Sequence, residues 1–318
     1  HRAPRAPLLS GVKAACANVF RFHRLGGPCV LHLHAVGERA QQAAAAADVE
    51  LQRIEARFSR YRDDSIVSRI NASAGDPGGI EVDDETAALL DYAATAHHES
   101  GGAFDITSGV LRRVWDFRAA RVPRPAEVEA VLPLVGWHRL IWQRPRLILP
   151  VAGMEIDFGG FGKEYAADRV AALLLERGVR HGLVDLAGDI RVLGPHPDGQ
   201  PWQIGLQHPR QVGAIASIAL REGAVASSGD YERGFEVDGQ RYCHILDPRS
   251  GWPVQGLAAV SVVAGQCLIA GTAATTAMLL GPDTGRDWLA ALQLPHLCVA
   301  PSLAVHSAPA GLFTTTRR

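Results

Sequence analysis

The stretch "DFGGFGKEYAADR", residues 157–169, decides what kind of fold this chain can adopt. Glycines at positions 159, 160 and 162 stand directly before Lys163, and a helical pattern follows them. Glycine backbone at a helix N-terminus presents unpaired N–H groups and a partial positive charge, which suit a phosphate group. The stretch therefore predicts a phosphate-binding turn, while a purely structural turn stays open because glycines often precede helices.

The residues around this turn imitate a strand–helix–strand unit. Alternating apolar and polar residues at 154–158 predict a strand that leads into the glycines. Apolar residues at helical spacing over 166–174 and a stop at Gly178 predict a helix. The segment "HGLVDL", residues 181–186, then predicts a second strand.

This order resembles a dinucleotide-binding βαβ unit. Asp185 falls where such a unit carries the acid that binds a ribose. Tyr165 stands in place of the third glycine of GxGxxG, and Lys163 would crowd the usual approach of the pyrophosphate. A nicotinamide-dependent oxidoreductase is therefore one hypothesis among others.

Composition and charge describe a globular protein without a general affinity for polyanions. The chain has 318 residues, of which 47% are hydrophobic and 20% charged, and its net charge is -1. Any anion must then be held by local geometry, and no nucleic-acid partner is expected. No stretch approaches the ~20 apolar residues of a membrane helix, and "LIAGTAATTAMLLG" (268–281) is better explained as a packed helix.

The five cysteines are odd in number, widely spaced and without a CxxC pair. That pattern favours free thiols over a disulfide framework or a zinc site. Free thiols favour the cytoplasm, but the chain begins at His1, so the natural start is not visible and the periplasm stays open.

The remaining patterns predict an α+β fold of mixed strands and helices. Helices are expected over 39–59, over 268–280 and over 283–292. A further helix is expected within 82–102, where it follows an acidic cap. "GFEVDGQRYCHIL" (234–246) predicts a hairpin whose tight turn is Asp238-Gly239. We expect one domain over residues 1–318, with two tightly packed lobes as the alternative.

A second group of polar residues lies in "YCHILDPRSGWPV", residues 242–254. His244 is expected at the end of a hairpin strand, and Asp247-Pro248 opens a turn. A histidine beside a carboxylate suits a general base near neutral pH. A solvated histidine and an ordinary turn explain the same residues without catalysis.

Seven motifs together resemble the ApbE family of flavin transferases. They occur in the family's order between about residues 51 and 281, as "FSRYRDDSIVSRIN", "GGAFDITSG", "DFGGFGKEYAADR", "LVDLAGDIRVLG", "VASSGDYER", "HILDPRSGWPV" and "AGTAATTAMLLG". The resemblance implies that the protein binds FAD and, with Mg²⁺, transfers its FMN half to a threonine or serine hydroxyl of a target flavoprotein, releasing AMP. Because some members of the family instead hydrolyse FAD to FMN and AMP, the resemblance also leaves this activity open.

The resemblance assigns roles to individual residues. It implies that His244 is the base that deprotonates the acceptor hydroxyl, with Asp247 close enough in sequence to orient it. The residues that it implies contact FAD are Tyr61, Ala103, Phe104, Asp105, Asp157, Lys163, Ser228, Gly229 and Ile245. Packing explains Tyr61 and Phe104 equally well, and Asp105 suits a helix cap.

The metal motif of the family is incomplete in this chain. The family motif is Ala-Asp-Ala, two further residues and Thr, but here Gly271 replaces the aspartate while Thr275 is kept. A site made from Gly160, Thr275 and water should bind Mg²⁺ weakly, because this ion usually has a carboxylate ligand. Either Asp185 or the charge of Lys163 is expected to compensate. A glycine at 271 leaves room for an aspartate one helical turn before Thr275.

Three hypotheses follow from these patterns. The first is an FMN transferase. The second is an FAD-binding homologue with weak or lost transfer activity, which serves as a carrier, sensor or FAD pyrophosphatase. The third is the nicotinamide-dependent oxidoreductase.

Overall fold

The computed structural model describes residues 18–316. Its α-helices are α1 (Glu38–Phe58), α2 (Ile66–Ala72), α3 (Asp84–Glu99), α4 (Pro125–Val131), α5 (Gly162–Glu176), α6 (Cys267–Leu280) and α7 (Pro282–Ala291). The strands in the first half are β1 (Asn18–Arg24), β2 (Gly27–Leu33), β3 (Ile80–Glu81), β4 (Ile141–Gln143), β5 (Arg146–Ile148), β6 (Gly182–Leu186) and β7 (Asp189–Gly194). The strands in the second half are β8 (Trp202–Gln207), β9 (Ala214–Leu220), β10 (Gly223–Gly229), β11 (Gly234–Val237), β12 (Gln240–Cys243), β13 (Ala259–Ala264), β14 (His296–Val299), β15 (Val305–Ala308) and β16 (Phe313–Thr315).

An eight-stranded sheet forms the centre of the fold, in the order β1-β2-β6-β7-β10-β13-β14-β15. Every neighbouring pair whose register is recorded runs antiparallel. Helices α1, α5 and α6 pack on one face, where the large apolar core lies. The three strands β16-β9-β8 cover the other face with a second core. This layered α+β architecture confirms the predicted fold class.

The α-helices begin and end close to where the sequence patterns predict. Helix α1 buries its apolar side chains at intervals of three and four residues, from Ala40 to Phe58. The carboxylate of Asp83 accepts a hydrogen bond from the Thr86 N–H at 3.0 Å and caps α3, as the acidic residues predict. Helix α6 is buried on nearly all sides, which explains its apolar sequence. No helix within the described residues is long and apolar enough to cross a membrane.

The predicted strand at residues 154–158 is wrong. The alternation reports burial correctly, since Met154, Ile156 and Phe158 are all buried. Extended backbone here pairs with side chains and loops: Asn71 exchanges two hydrogen bonds with the backbone of Ile156, at 2.7 and 3.1 Å. The segment therefore gains the hydrogen bonds of a strand without joining a sheet.

The βαβ interpretation is also wrong. A dinucleotide-binding unit needs parallel strands, but β6 pairs antiparallel with both β2 and β7. The carboxylate of Asp185 accepts a hydrogen bond from the Gly188 N–H at 2.8 Å, in the turn between β6 and β7. The nicotinamide hypothesis thus loses its structural basis.

The hairpin prediction is confirmed. Strands β11 and β12 pair antiparallel, and Asp238 and Gly239 have φ values of 51° and 76°. Both values suit a two-residue turn of the mirror-image type. Four of the cysteines, Cys29, Cys243, Cys267 and Cys298, are free and buried, while Cys16 lies outside the described residues.

Candidate functional site

The glycine turn forms a single 3₁₀ turn, Phe158–Gly160, directly before α5. Asp157 caps it, since its Oδ1 accepts a hydrogen bond from the Gly159 N–H at 2.9 Å. The same carboxylate forms an ion pair with Arg60, a residue that sequence reasoning missed. A side chain at Gly162 would meet no atom within 4 Å, so the turn opens into free space beside the start of α5. This arrangement can receive an anion.

The GGAFD motif supports this turn from beneath. Ala103, Phe104 and Asp105 are all buried. A side chain at Gly160 would begin 3.2 Å from the Phe104 ring, so any larger residue here would have to displace that ring slightly. Asp105 caps the following 3₁₀ helix by accepting hydrogen bonds from the Thr107 N–H and hydroxyl, at 2.8 and 2.6 Å. The packing interpretation therefore accounts for the side chains of this motif.

Tyr61 differs from the buried Phe104 because the residue is 77% exposed. Arg60 donates a hydrogen bond to the Tyr61 hydroxyl at 2.8 Å, and its guanidinium lies 5.0 Å from the ring centroid. The ring is thus oriented by Arg60 and open to a planar ligand. Its position does not depend on core packing.

Lys163 stands in the first turn of α5 and is already paired. Its ammonium lies 2.9 Å from Oδ2 of Asp189, which is 3% exposed at the start of β7. The charge of Asp189 raises the pKa of Lys163, so this lysine is positively charged at neutral pH. Sequence reasoning missed Asp189, although it lies four residues after Asp185 in a hairpin-like "DLAGD".

Asp185 lies in the same β6–β7 hairpin and is 4% exposed. Burial raises its pKa to about 6, and the charge of Asp189 acts in the same direction. The charge of Lys163 influences the pKa values of Asp185, Glu164 and His244. The positive charge of Lys163 therefore acts to lower the pKa of each of these three groups.

Ser228, which the resemblance assigns to FAD binding, lies beside Thr275, which it assigns to the metal site. Their hydroxyl oxygens lie 2.7 Å apart, which links β10 to α6. At Gly229, the last residue of β10, a Cβ would lie 2.1 Å from a ring carbon of Tyr231, so any larger residue here would have to displace the Tyr231 ring. Ile245 is buried in the apolar core, 7% exposed.

The space beside Gly271 is filled, which corrects the expectation that an aspartate would fit there. A Cβ at this position would lie 2.5 Å from both Cγ and Oε1 of Glu164. Glu164 is 7% exposed, and its Oε2 is buried without a hydrogen-bond partner. Burial, followed by the charge of Asp189, raises the pKa of this carboxyl to about 8. Sequence reasoning missed Glu164 because spacing along α5 does not reveal which side chain faces α6.

His244 follows β12 directly and is half-buried. Its Nδ1 lies 3.3 Å from the carbonyl oxygen of Arg233, which also accepts a hydrogen bond from the His244 N–H at 2.9 Å. Burial lowers the pKa of His244 to about 4, and the charges of Arg233 and Lys163 act in the same direction. The imidazole is therefore neutral at neutral pH.

Asp247 does not orient this histidine, which corrects the sequence-based expectation. Its carboxylate is bound by the Arg249 guanidinium at 2.7 Å and accepts the Arg249 N–H at 2.9 Å. This geometry is an ordinary turn opened by aspartate. The orienting contact of His244 is the Arg233 carbonyl, a backbone atom that no sequence pattern marks.

Two further observations limit the site. A cavity of about 470 Å³ lies along the hairpin, lined by residues that include Arg210, Asp230, Arg241 and Cys243, and it includes none of the predicted site residues. Between residues 18 and 316 no group of three or more His, Cys, Asp or Glu side chains is arranged to hold a metal ion. Any cation near Thr275 must therefore also use hydroxyls, backbone carbonyls or substrate phosphates.

Comparison with known proteins identifies the class. The model of the ApbE family matches residues 25–298, and the chain belongs to this family. A solved ApbE protein from Thermotoga maritima is 31% identical and superposes with a TM-score of 0.85 over 92% of this chain and 97% of its own. The flavinyl transferase ApbE of Pseudomonas stutzeri is 30% identical, with a TM-score of 0.83 over 95% and 98% of the two chains.

Curated relatives carry one activity in their names. The FAD:protein FMN transferase of Vibrio cholerae is 31% identical over 257 residues, which are 78% of this chain and 76% of the relative. The FAD:protein FMN transferase of Treponema pallidum is 32% identical over 279 residues, which are 81% and 77% of the two chains.

Proposed function

We propose that the protein is an FAD:protein FMN transferase, which moves FMN from FAD to a threonine or serine hydroxyl of a target flavoprotein and releases AMP. Its membership of the ApbE family and the named activity of its relatives support this proposal. The observation that carries it is His244, a neutral imidazole held by a backbone carbonyl within the electrostatic reach of Lys163.

His244 serves as the general base. A carbonyl oxygen has no proton to give, so Nδ1 carries the hydrogen and Nε2 keeps its lone pair. The acceptor hydroxyl gives its proton to Nε2 while its oxygen bonds to the FMN phosphorus. The bond from that phosphorus to the oxygen of AMP breaks, and AMP leaves. The negative pyrophosphate raises the low pKa of His244 again, which strengthens the base when FAD is bound.

FAD binds across the glycine turn. The turn opens at Gly162, so backbone N–H groups of α5 can reach the pyrophosphate. Lys163 adds a positive charge that Asp189 keeps in place. The exposed ring of Tyr61 stacks on the flavin, with Arg60 holding the ring.

The proposal includes Mg²⁺ binding, and the chemistry of the groups that line the site shows whether they suit this ion. The predicted set was Gly160, Thr275 and Asp185, and it stays a prediction. Glu164 Oε1 lies against α6 at Gly271, one helical turn from Thr275, and Glu164 Oε2 is buried without a hydrogen-bond partner, so hard oxygen donors that suit Mg²⁺ are present. When bound, the ion neutralises charge on the phosphates.

The alternative is an FAD-binding homologue with weak or lost transfer activity, acting as a carrier, a sensor or an FAD pyrophosphatase. The observation that favours it is Gly271, which brings no carboxylate to the metal motif. The favoured cytoplasmic compartment, with the periplasm as the alternative, also stays a prediction.

The test compares AMP release with and without an acceptor. Purified protein is incubated with FAD, Mg²⁺ and a flavoprotein domain that exposes a threonine, with the same domain carrying Thr→Val as the matched control. A transferase produces AMP together with covalent flavin fluorescence on the threonine domain only. AMP release at the same rate with either domain indicates a pyrophosphatase. FAD binding without AMP release indicates a carrier or sensor.

A further inference from the structure

Glu164 and Gly271 form a complementary pair across two helices. Helices α5 and α6 pack against each other, and the Glu164 side chain reaches the point where a side chain at 271 would begin. The distance of 2.5 Å from that Cβ position to Oε1 is too short for a side chain at 271 unless the Glu164 side chain moves. The carboxylate therefore occupies the volume that an aspartate at 271 would need.

The chemistry of this carboxylate is incomplete. Its Oε2 is buried and has no hydrogen-bond partner. Burying a polar group without a hydrogen-bond partner destabilises a fold, and more so when the group is charged. A bound cation would supply the missing partner, because a carboxylate that is buried away from water is stabilised when it coordinates a metal ion.

The two other compensating groups are already engaged. One oxygen of Asp185 accepts the Gly188 N–H at 2.8 Å within its own hairpin turn. The ammonium of Lys163 lies 2.9 Å from Asp189. Among these groups, Glu164 is the carboxylate with a buried oxygen that has no hydrogen-bond partner, and its side chain faces the helix of Thr275.

We infer that Glu164 is the carboxylate ligand of the divalent cation site, supplied from α5 into the space above Gly271 and completed by the hydroxyl of Thr275. In this site the carboxylate comes from the helix opposite the metal motif, and glycine at 271 makes room for it. The inference rests on the proposed function for the cation's purpose, but the contacts that carry it are those of Glu164.

The test measures cation binding without requiring turnover. Mn²⁺, which prefers the same hard oxygen ligands, is titrated into FAD-loaded protein while free Mn²⁺ is followed by electron paramagnetic resonance. Glu164→Gln keeps the shape and removes the charge, and it should weaken Mn²⁺ binding by roughly 10-fold or more. Glu176→Gln removes an exposed carboxylate from the same helix and should leave Mn²⁺ binding unchanged.

A swapped carboxylate provides a second measurement. Glu164→Ala clears the space, and Glu164→Ala/Gly271→Asp returns a carboxylate from α6, so the double variant should bind Mn²⁺ more tightly than the single one. If Glu164→Gln does not fold, the double variant decides the question by itself. Unchanged Mn²⁺ affinity in folded Glu164→Gln, or no gain in the double variant, overturns the inference.

These outcomes are separable from those of the proposed function. If AMP release depends on the acceptor but Mn²⁺ binding does not depend on Glu164, the inference is wrong and the proposed transferase function stands. Glu164-dependent Mn²⁺ binding without any AMP release leaves the cation site and removes the transferase.

Discussion

The hydroxyl oxygens of Ser228 and Thr275 lie 2.7 Å apart and join β10 to α6 at the predicted nucleotide pocket. A hydroxyl has one proton and two lone pairs, so this single bond leaves lone pairs for a further contact. The two residues belong to different motifs and lie 47 positions apart in the chain. The bond therefore makes the orientation of Thr275 depend on Ser228.

Thr275→Val should weaken Mn²⁺ binding to the FAD-loaded protein, because valine keeps the shape and removes the oxygen. Thr275→Ser, which keeps the oxygen, should bind Mn²⁺ nearly as tightly as the unmodified protein. Ser228→Ala should have a smaller effect than Thr275→Val, since it removes an orienting bond and no ligand. Equal Mn²⁺ affinity in Thr275→Val and Thr275→Ser would show that the hydroxyl is not a ligand.

Tyr61→Ala should weaken FAD binding by more than Tyr61→Phe. The ring is exposed and available for stacking, and an aromatic pair contributes about 0.5–1.5 kcal/mol beyond its buried area. The Phe variant loses only the hydrogen bond from Arg60. Fluorescence titration with FAD measures both affinities. Equal losses would assign the effect to the hydroxyl and argue against stacking.

Lys163→Met should destabilise the fold because it leaves Asp189 buried without its ion partner. Breaking a buried pair typically costs 3–5 kcal/mol, and the partial exposure of Lys163 reduces the expectation to about 2–3 kcal/mol. Lys163→Met/Asp189→Asn should recover part of this loss in the free energy of unfolding in urea. A double variant no more stable than the single one would contradict the pairing as the cause.

In a plot of kcat/KM against pH, the fall on the acid side should lie at pH values well below the usual titration range of histidine. Because the pKa of His244 is lowered to about 4, its neutral base form dominates at every pH above that value. Since kcat/KM reports the free enzyme, it should not fall between pH 8 and pH 5 through protonation of His244. Circular dichroism at each pH checks that the fold is intact. A limb centred near 6.5, the ordinary histidine value, would contradict this assignment of the base.

Much of the fold could be predicted from local patterns. Alternating burial and helical spacing located α1, α5 and α6, and Asp238-Gly239 located the hairpin, because these features depend on neighbours in the chain. The strand at 154–158 was wrong because alternation reports burial, while Asn71 supplies the hydrogen bonds of a missing partner strand.

The site could be predicted less completely, because its contacts join distant segments. Motif order indicated Lys163, His244, Ser228 and Thr275, but no spacing rule shows that Glu164 fills the space at Gly271. Asp247 illustrates the opposite error, since closeness in sequence suggested a partner for His244 while Arg249 binds it.

The most direct measurement is single-turnover transfer of FMN to an acceptor threonine by His244→Ala, with His98→Ala as the matched control. His98 is an exposed histidine on α3, so its loss should leave the rate unchanged. His244→Ala should reduce the rate by roughly 10²–10⁴-fold, as expected for loss of a general base, while FAD affinity stays nearly intact. A transfer rate equal to that of His98→Ala would contradict the role of His244 as the base.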